Sequence, residues 1–191
     1  MAHLYQQDGV LMRPEYYVIN TSPFESELHY RLLAHELLYM KPTEGEIYTA
    51  DVRIRVRLYS SLENPVLLDS ASIRFTDEQL KMEDIVLEGV IPFKTPEAQR
   101  YVLDVQLQDL NRDYTHQNYV DFRKTTLDSR NYFSLHQTNG ELMFEPVVKL
   151  NTPFLIKSTN TQLDSVWVRV YHRQFPLASP PYVIENDMAF D

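Results

Sequence analysis

The most regular pattern of apolar and polar positions runs along residues 47–59. Apolar residues occupy every second position, and charged or polar residues occupy the positions between them. A period of two is typical of a β-strand with one buried face, because a helix would scatter the same residues around its whole circumference. We therefore predict a strand here, with Arg53, Arg55 and Arg57 together on its outward face.

Shorter runs of the same kind recur at intervals that suit a sheet protein. We predict further strands over residues 16–20, 27–34, 66–75, 85–93, 101–107 and 119–123. Pro92 cannot donate to a sheet ladder and places its strand at an edge. Seven short strands separated by turn residues are typical of an immunoglobulin-like sandwich. Residues 76–84 are expected to hold a single helical turn, since Thr76 and Gln79 have the spacing of a capping box.

After residue 124 the strand pattern restarts. Strands are predicted over residues 131–136, 141–144, 153–156 and 166–173, with Asn139-Gly140 as a hairpin turn. The fold class is therefore all-β. It comprises an extension over residues 1–15, an immunoglobulin-like sandwich over 16–124, and a second, shorter sandwich-like unit over 125–191. This unit either packs against the first or is the truncated start of a longer protein, and we favour truncation.

Composition supports a packed protein and narrows its partners. Apolar residues make up 43% of the chain and charged residues 24%, which is ordinary globular usage. The net charge of −9 repels the phosphate backbone of nucleic acid, so we do not expect nucleic acid as a partner. No apolar run is long enough to span a membrane, and no signal peptide is evident at the start. A cytosolic protein and an exported one whose signal has been removed both fit.

No pattern indicates catalysis or cofactor binding. The chain has no cysteine, and its 6 histidines lack the spacing of a zinc motif. With only 4 glycines, it has neither a nucleophile elbow nor a phosphate-binding loop. Asp109, Asn111 and Asp113 open like a calcium loop, but Tyr114 stands where the sharp-turn glycine belongs. We interpret them as a polar turn, and expect no catalytic, cofactor or metal residues.

Two groups of residues form a candidate binding face. Arg53, Arg55 and Arg57 could receive an acidic partner or a phosphate, although a solvated face paired with acids across strands is the simpler interpretation. A second group, Trp167, Arg169 and Tyr171, alternates with valines. Its aromatic rings could stack on a sugar or could pack against another domain. A carbohydrate-binding module is therefore the alternative to a protein-binding one.

Several short sequence segments resemble the N-terminal β-rich region of the GWxTD-domain proteins, which are large exported proteins common in Bacteroidetes. These segments lie at residues 37–39, 50–59, 68–73, 89–93, 109–112, 170–178 and 180–181. The Gly-Trp-x-Thr-Asp signature itself is absent, since Trp167 lies between two valines. The resemblance implies an exported protein, periplasmic or surface-attached, that continues beyond this chain. It supplies no catalytic residue to transfer, and a cytoplasmic location stays open.

The sequence thus leads to one main hypothesis. We expect a non-catalytic, extracytoplasmic β-sandwich module that contacts other proteins or spaces functional domains. The sequence does not indicate the identity of the partner or the oligomeric state.

Overall fold

The computed structural model describes residues 11–41, 45–81, 83, 85–96, 99–126, 129–145, 147–149, 151–161, 165–166 and 168. The chain divides into two compact units, residues 1–161 and 162–191. The second unit contains three described residues, Ser165, Val166 and Val168, all of them exposed. The strands in the described ranges all lie in the first unit.

Nine strands form three antiparallel sheets in the described part of this unit. They are β1 (Glu15–Asn20), β2 (Glu25–Leu33), β3 (Tyr48–Tyr59), β4 (Leu67–Gln79), β5 (Val86–Lys94), β6 (Arg100–Asp109), β7 (Tyr114–Arg123), β8 (Phe133–Gln137) and β9 (Phe154–Ser158). The strand orders are β1-β2-β5, β4-β3-β6-β7 and β8-β9. Helical structure in the described ranges is limited to two single 3-10 turns, Ala34–Glu36 and Arg130–Tyr132. The prediction of an all-β protein is confirmed.

All seven strands predicted before residue 124 are present, and most extend beyond their predicted bounds. β5 is an edge strand, as Pro92 indicated. The helical turn expected from residue 76 is wrong, because β4 continues to Gln79. The Thr76 hydroxyl donates to Asp51 on the neighbouring strand instead of forming a helix cap. Cross-strand pairing with β3 thus outweighs a local helical signal.

The core lies between the three-stranded and four-stranded sheets. The inward residues of β3, from Ala50 to Leu58, are at most 1% exposed. They meet Leu28 and Leu32 of β2, which are equally buried. Each fully buried Val, Leu or Ile contributes about 1.5–3 kcal/mol, so this sandwich layer dominates the stability.

One end of the sandwich is held by buried polar contacts from the β6–β7 turn. Asp109, fully buried, accepts hydrogen bonds from the Leu38 amide at 2.8 Å and the Asn111 amide at 3.0 Å. The Asn111 side-chain amide donates to the carbonyls of Leu38 and Thr49. Asp109 also pairs with Arg112. These contacts confirm the polar turn. Its side chains hold the loop between β2 and β3 in place. Among the described residues, no cluster of ligands suited to a metal ion occurs.

A buried lysine holds the other end. Lys124 is 2% exposed, and its ammonium donates to the Glu25 carbonyl at 2.7 Å and to the hydroxyls of Ser26 and Thr95. Ser26 in turn donates to Asn20 at 2.9 Å. The hydrogen-bond acceptors are all neutral, and the negative charge of Glu25 offsets the cost of burying the ammonium only in part. Burial lowers the pKa of Lys124 to about 8.

The β8–β9 ribbon and its flanks pack beside β1. The Tyr17 hydroxyl donates to the Phe133 carbonyl at 3.0 Å, and Asn131 donates to the Val18 carbonyl at 3.0 Å. Asn131 also accepts from the amide of Arg123 on β7. Because edge strands expose unpaired backbone groups, these bonds protect the side of the sandwich where β1 and β7 end their sheets. The opposite edges, β5 and β4, have no further strand paired to them in the described chain.

The later predictions are met in part. The Asn139-Gly140 turn is confirmed, with Gly140 at φ 93°. Residues 141–144 do not form the predicted strand, since only Leu142 bridges to His136. β8 pairs with the distant β9 instead. Most of the strand predicted at 166–173 lies outside the described residues. The division into domains at residue 124 stays a prediction.

A close approach inside the core explains one glycine. Gly89 on β5 faces Tyr30 on β2 across the sheet. A Cβ placed at Gly89 would lie 2.5 Å from Cζ and 2.8 Å from Cε1 of the Tyr30 ring. That ring cannot withdraw freely, because it stacks on Phe75 with a centroid separation of 6.2 Å.

Replacing this glycine therefore tests the packing. We expect Gly89→Ala to lower the free energy of unfolding by about 1–3 kcal/mol, because the new methyl group displaces the ring. Chemical denaturation measures the change. In a Tyr30→Leu background the same substitution should cost much less, since the clash is gone. Equal costs in the two backgrounds would contradict the contact.

The lysine predicts a pH dependence of stability. Its folded pKa of about 8 lies below the ordinary lysine pKa of 10.5, so the unfolded state holds the proton more tightly and stability rises with pH across this window. We expect a gain of about 2 kcal/mol between roughly pH 7.5 and 9.5. Lys124→Met should abolish this gain, whereas Lys157→Met, at an exposed position, should retain it. A Lys124→Met profile parallel to that of the wild type would refute the assignment.

Candidate functional site

The outer face of the four-stranded sheet carries the predicted arginines. β3 lies between β4 and β6, so each outward arginine has a cross-strand neighbour on both sides. Together with their outward neighbours on these strands, the arginines form a surface that we call the arginine face. Its residues are Arg53, Arg55 and Arg57 on β3, Ser70, Ser72 and Arg74 on β4, Asp104, Gln106 and Gln108 on β6, and Thr115, Gln117 and Tyr119 on β7.

Arg57 is neutralised within the face. Its Nη2 lies 2.6 Å from Oδ2 of Asp104, whose other oxygen accepts a hydrogen bond of 2.8 Å from Gln117. Asp104 is only 3% exposed although it points outward, because these longer side chains cover it. For Arg57, the interpretation that the arginines pair with acids across the strands is therefore confirmed.

Arg53 has a like charge beside it. Its directly opposed residue on β4 is Arg74, and its partner on β6 is Gln108. The nearby carboxylate of Asp51 pairs with Arg74 at 3.3 Å and accepts from Thr76 at 2.6 Å. The hydrogen bond from Thr76 and the charge of Arg74 lower the pKa of Asp51. Like charges directly opposite destabilise a sheet, so this arrangement carries a cost.

Arg55 lies two residues further along β3, opposite Ser72 and Gln106. It is exposed, and Arg53 is partly so. Within the part of the chain that the structure describes, neither arginine makes an ion pair. Neither guanidinium group is therefore committed to an acid of the described residues.

A shallow hollow of about 170 Å³ lies between these side chains. It is lined by Arg53, Arg55, Gln106, Gln108 and Thr115. Every lining side chain has at least one N–H or O–H donor, and none carries a carboxylate. Such a hollow matches an anionic group more closely than a cation or an apolar ligand.

The structure describes one of the two groups that the sequence assigned to a candidate binding face. Arg53, Arg55 and Arg57 share a face as predicted, but only the first two open onto the hollow. Trp167, Arg169 and Tyr171 lie outside the described residues, so the carbohydrate-binding alternative stays a prediction. Among the described residues, no helix has the length and apolar character to cross a membrane.

Gln106, Gln108 and Thr115 were not identified from the sequence as site residues. They reach the hollow because β6 pairs with β3 and β7 pairs with β6 in a fixed register. The only sequence signal was that Gln106 and Gln108 sit at alternate, outward positions of their strand. That signal says which face they share, but it does not say which strand lies next to them.

Comparison with known proteins adds no relative. No family model, curated protein or solved structure matches this chain. The resemblance to the GWxTD-domain proteins therefore stays a prediction.

Two of the acids that pair with outward arginines of this sheet, one buried and one exposed, should differ in their effect on stability. Asp104→Asn is expected to cost about 1–3 kcal/mol, because it leaves Arg57 unbalanced beside a buried amide. Asp121→Asn breaks the exposed pair with Arg100 and should leave the unfolding midpoint nearly unchanged. Chemical denaturation of both variants at neutral pH provides the comparison. Equal losses would show that burial of Asp104 has no energetic consequence.

Proposed function

We propose that this chain is a non-catalytic, extracytoplasmic β-sandwich module that contacts another protein through its arginine face. The observation that carries the proposal is the pair Arg53 and Arg55, exposed or partly exposed beside a hollow of hydrogen-bond donors. Uncompensated like charges on a sheet reduce stability, so their presence is easier to explain if a partner supplies the opposite charge.

The flatness of the site favours a macromolecular partner. The hollow is small and shallow, and small-molecule sites usually have volumes of about 300–1,000 Å³ with mostly apolar walls. Arginine is enriched at protein interfaces because its planar group binds carboxylates in pairs of hydrogen bonds. A sheet face with two such groups fits contact with another protein.

The strand order supports the immunoglobulin-like part of the proposal. Two sheets of order β1-β2-β5 and β4-β3-β6-β7 divide seven strands between two layers, as in that kind of sandwich. The fourth strand lies beside the third here, instead of in the sheet of the first. Export, and the continuation into a longer protein, depend on the resemblance to the GWxTD-domain proteins.

A crosslinking experiment in the native cells tests the proposal. A photo-reactive residue replaces Gln117, which lies on the arginine face, or Val90, which is exposed on the other sheet. We expect a discrete protein adduct from position 117 that disappears in Arg53→Glu/Arg55→Glu, because the charge of the contact is reversed. Position 90 should give none.

A matched control separates local contact from total charge. Arg100→Glu/Arg123→Glu changes the net charge equally on the same sheet, at its far end, and should retain the adduct. The proposal fails if position 117 gives no adduct, or if both double variants abolish it alike.

A further inference from the structure

We infer that Arg53 and Arg55 bind carboxylates at alternate positions of an extended acidic segment of a partner protein. This inference rests on the proposed function and specifies the chemistry of the partner. It follows from three observations: how the other arginines on this sheet are paired, how far apart the two arginines are, and which groups surround them.

The chain pairs most other outward arginines of this sheet with its own carboxylates. Arg57 pairs with Asp104, Arg74 with Asp51, and Arg100 with Asp121 through its Nε at 2.7 Å. In the described residues the exceptions are Arg53, Arg55 and Arg123, and Arg123 stands at the far end of the sheet. Two neighbouring arginines that form no ion pair with the described residues, with the nearby Asp51 carboxylate paired to Arg74, suggest that carboxylates from a second chain complete the same pairing.

Their spacing favours an extended segment. Residues two apart on one strand lie about 7 Å apart and point to the same side. Alternate side chains of an extended acidic segment have the same separation, so each carboxylate would meet one guanidinium. A single phosphate or sulfate would require both groups to converge on one point, which parallel side chains on a strand do not favour.

The surrounding groups complete the recognition. Thr115 and the amide of Gln106 line the same hollow as the two arginines, and both can donate to a carboxylate oxygen. The Gln108 amide already donates to Asp113 at 3.1 Å, which orients it beside Arg53. Since the protein as a whole is acidic, the attraction is local and depends on direct contact more than on long-range steering.

Titration of the full chain with peptides tests this inference. The probe is a peptide of alternating Glu and Thr, and the comparison peptide alternates Gln and Thr. In NMR spectra of the nitrogen-labelled protein, we expect the Nε–H signals of Arg53 and Arg55 to shift saturably with the Glu peptide alone. The affinity should fall about tenfold or more in Arg53→Gln/Arg55→Gln, because two charge-assisted contacts are lost.

Two further variants define the origin of the effect. Arg53→Lys/Arg55→Lys keeps the charge but loses the paired donors, so it should bind at an intermediate level. Arg100→Gln/Arg123→Gln removes the same charge from the same sheet and should leave the affinity within about twofold. Unchanged unfolding midpoints confirm that the variants are folded.

Several outcomes would overturn the inference. Inorganic phosphate shifting both arginine signals as strongly as the Glu peptide would identify a phosphate site. Equal binding of the Gln peptide, or an unchanged affinity in Arg53→Gln/Arg55→Gln, would reject a carboxylate site. Native-cell adducts that persist while no acidic peptide binds would reject this inference and leave the proposed function standing. Peptide binding without adducts would reject the proposed function instead.

Discussion

The strict alternation of β3 is the constraint on which the structure depends. This strand is central in the four-stranded sheet, and its inward residues are almost fully buried against the other sheet. A shift of one residue in its pairing would place Arg53, Arg55 and Arg57 in the core and expose the valines. The cost of burying three charges fixes the register, and the same register assembles the arginine face.

Buried polar contacts give each end of the sandwich a specific geometry. Asp109 ties the β6–β7 turn to the loop before β3, and Lys124 ties the end of β7 to β2 and to the residue after β5. Apolar packing alone would tolerate small displacements of the sheets, whereas a buried polar group that loses its partners costs about 1–3 kcal/mol. These contacts therefore make one arrangement of the two sheets preferred.

The arginine face shows how the same sheet combines stability and recognition. Arg57 is covered and balanced by Asp104, so it contributes to the structure. Arg53 and Arg55, on the same strand face, make no ion pair with the described residues, and amides and a hydroxyl line the hollow beside them. The difference arises from which residues β6 and β7 place opposite each arginine. A binding surface can thus arise where two arginines of a sheet lack the ion pairs that most other arginines of that sheet form.

The sequence determined the strands, because the alternation of side chains is a local property of the backbone. It also determined that three arginines share one face and that Asp109-x-Asn-x-Asp forms a turn. Two predictions from local signals were wrong. The helical turn at Thr76 is replaced by continued pairing of β4 with β3. The strand at residues 141–144 is replaced by pairing of β8 with the distant β9. Only the tertiary structure decided which arginine has an acid beside it. Cross-strand neighbours come from distant segments, and sheet order and register bring them together.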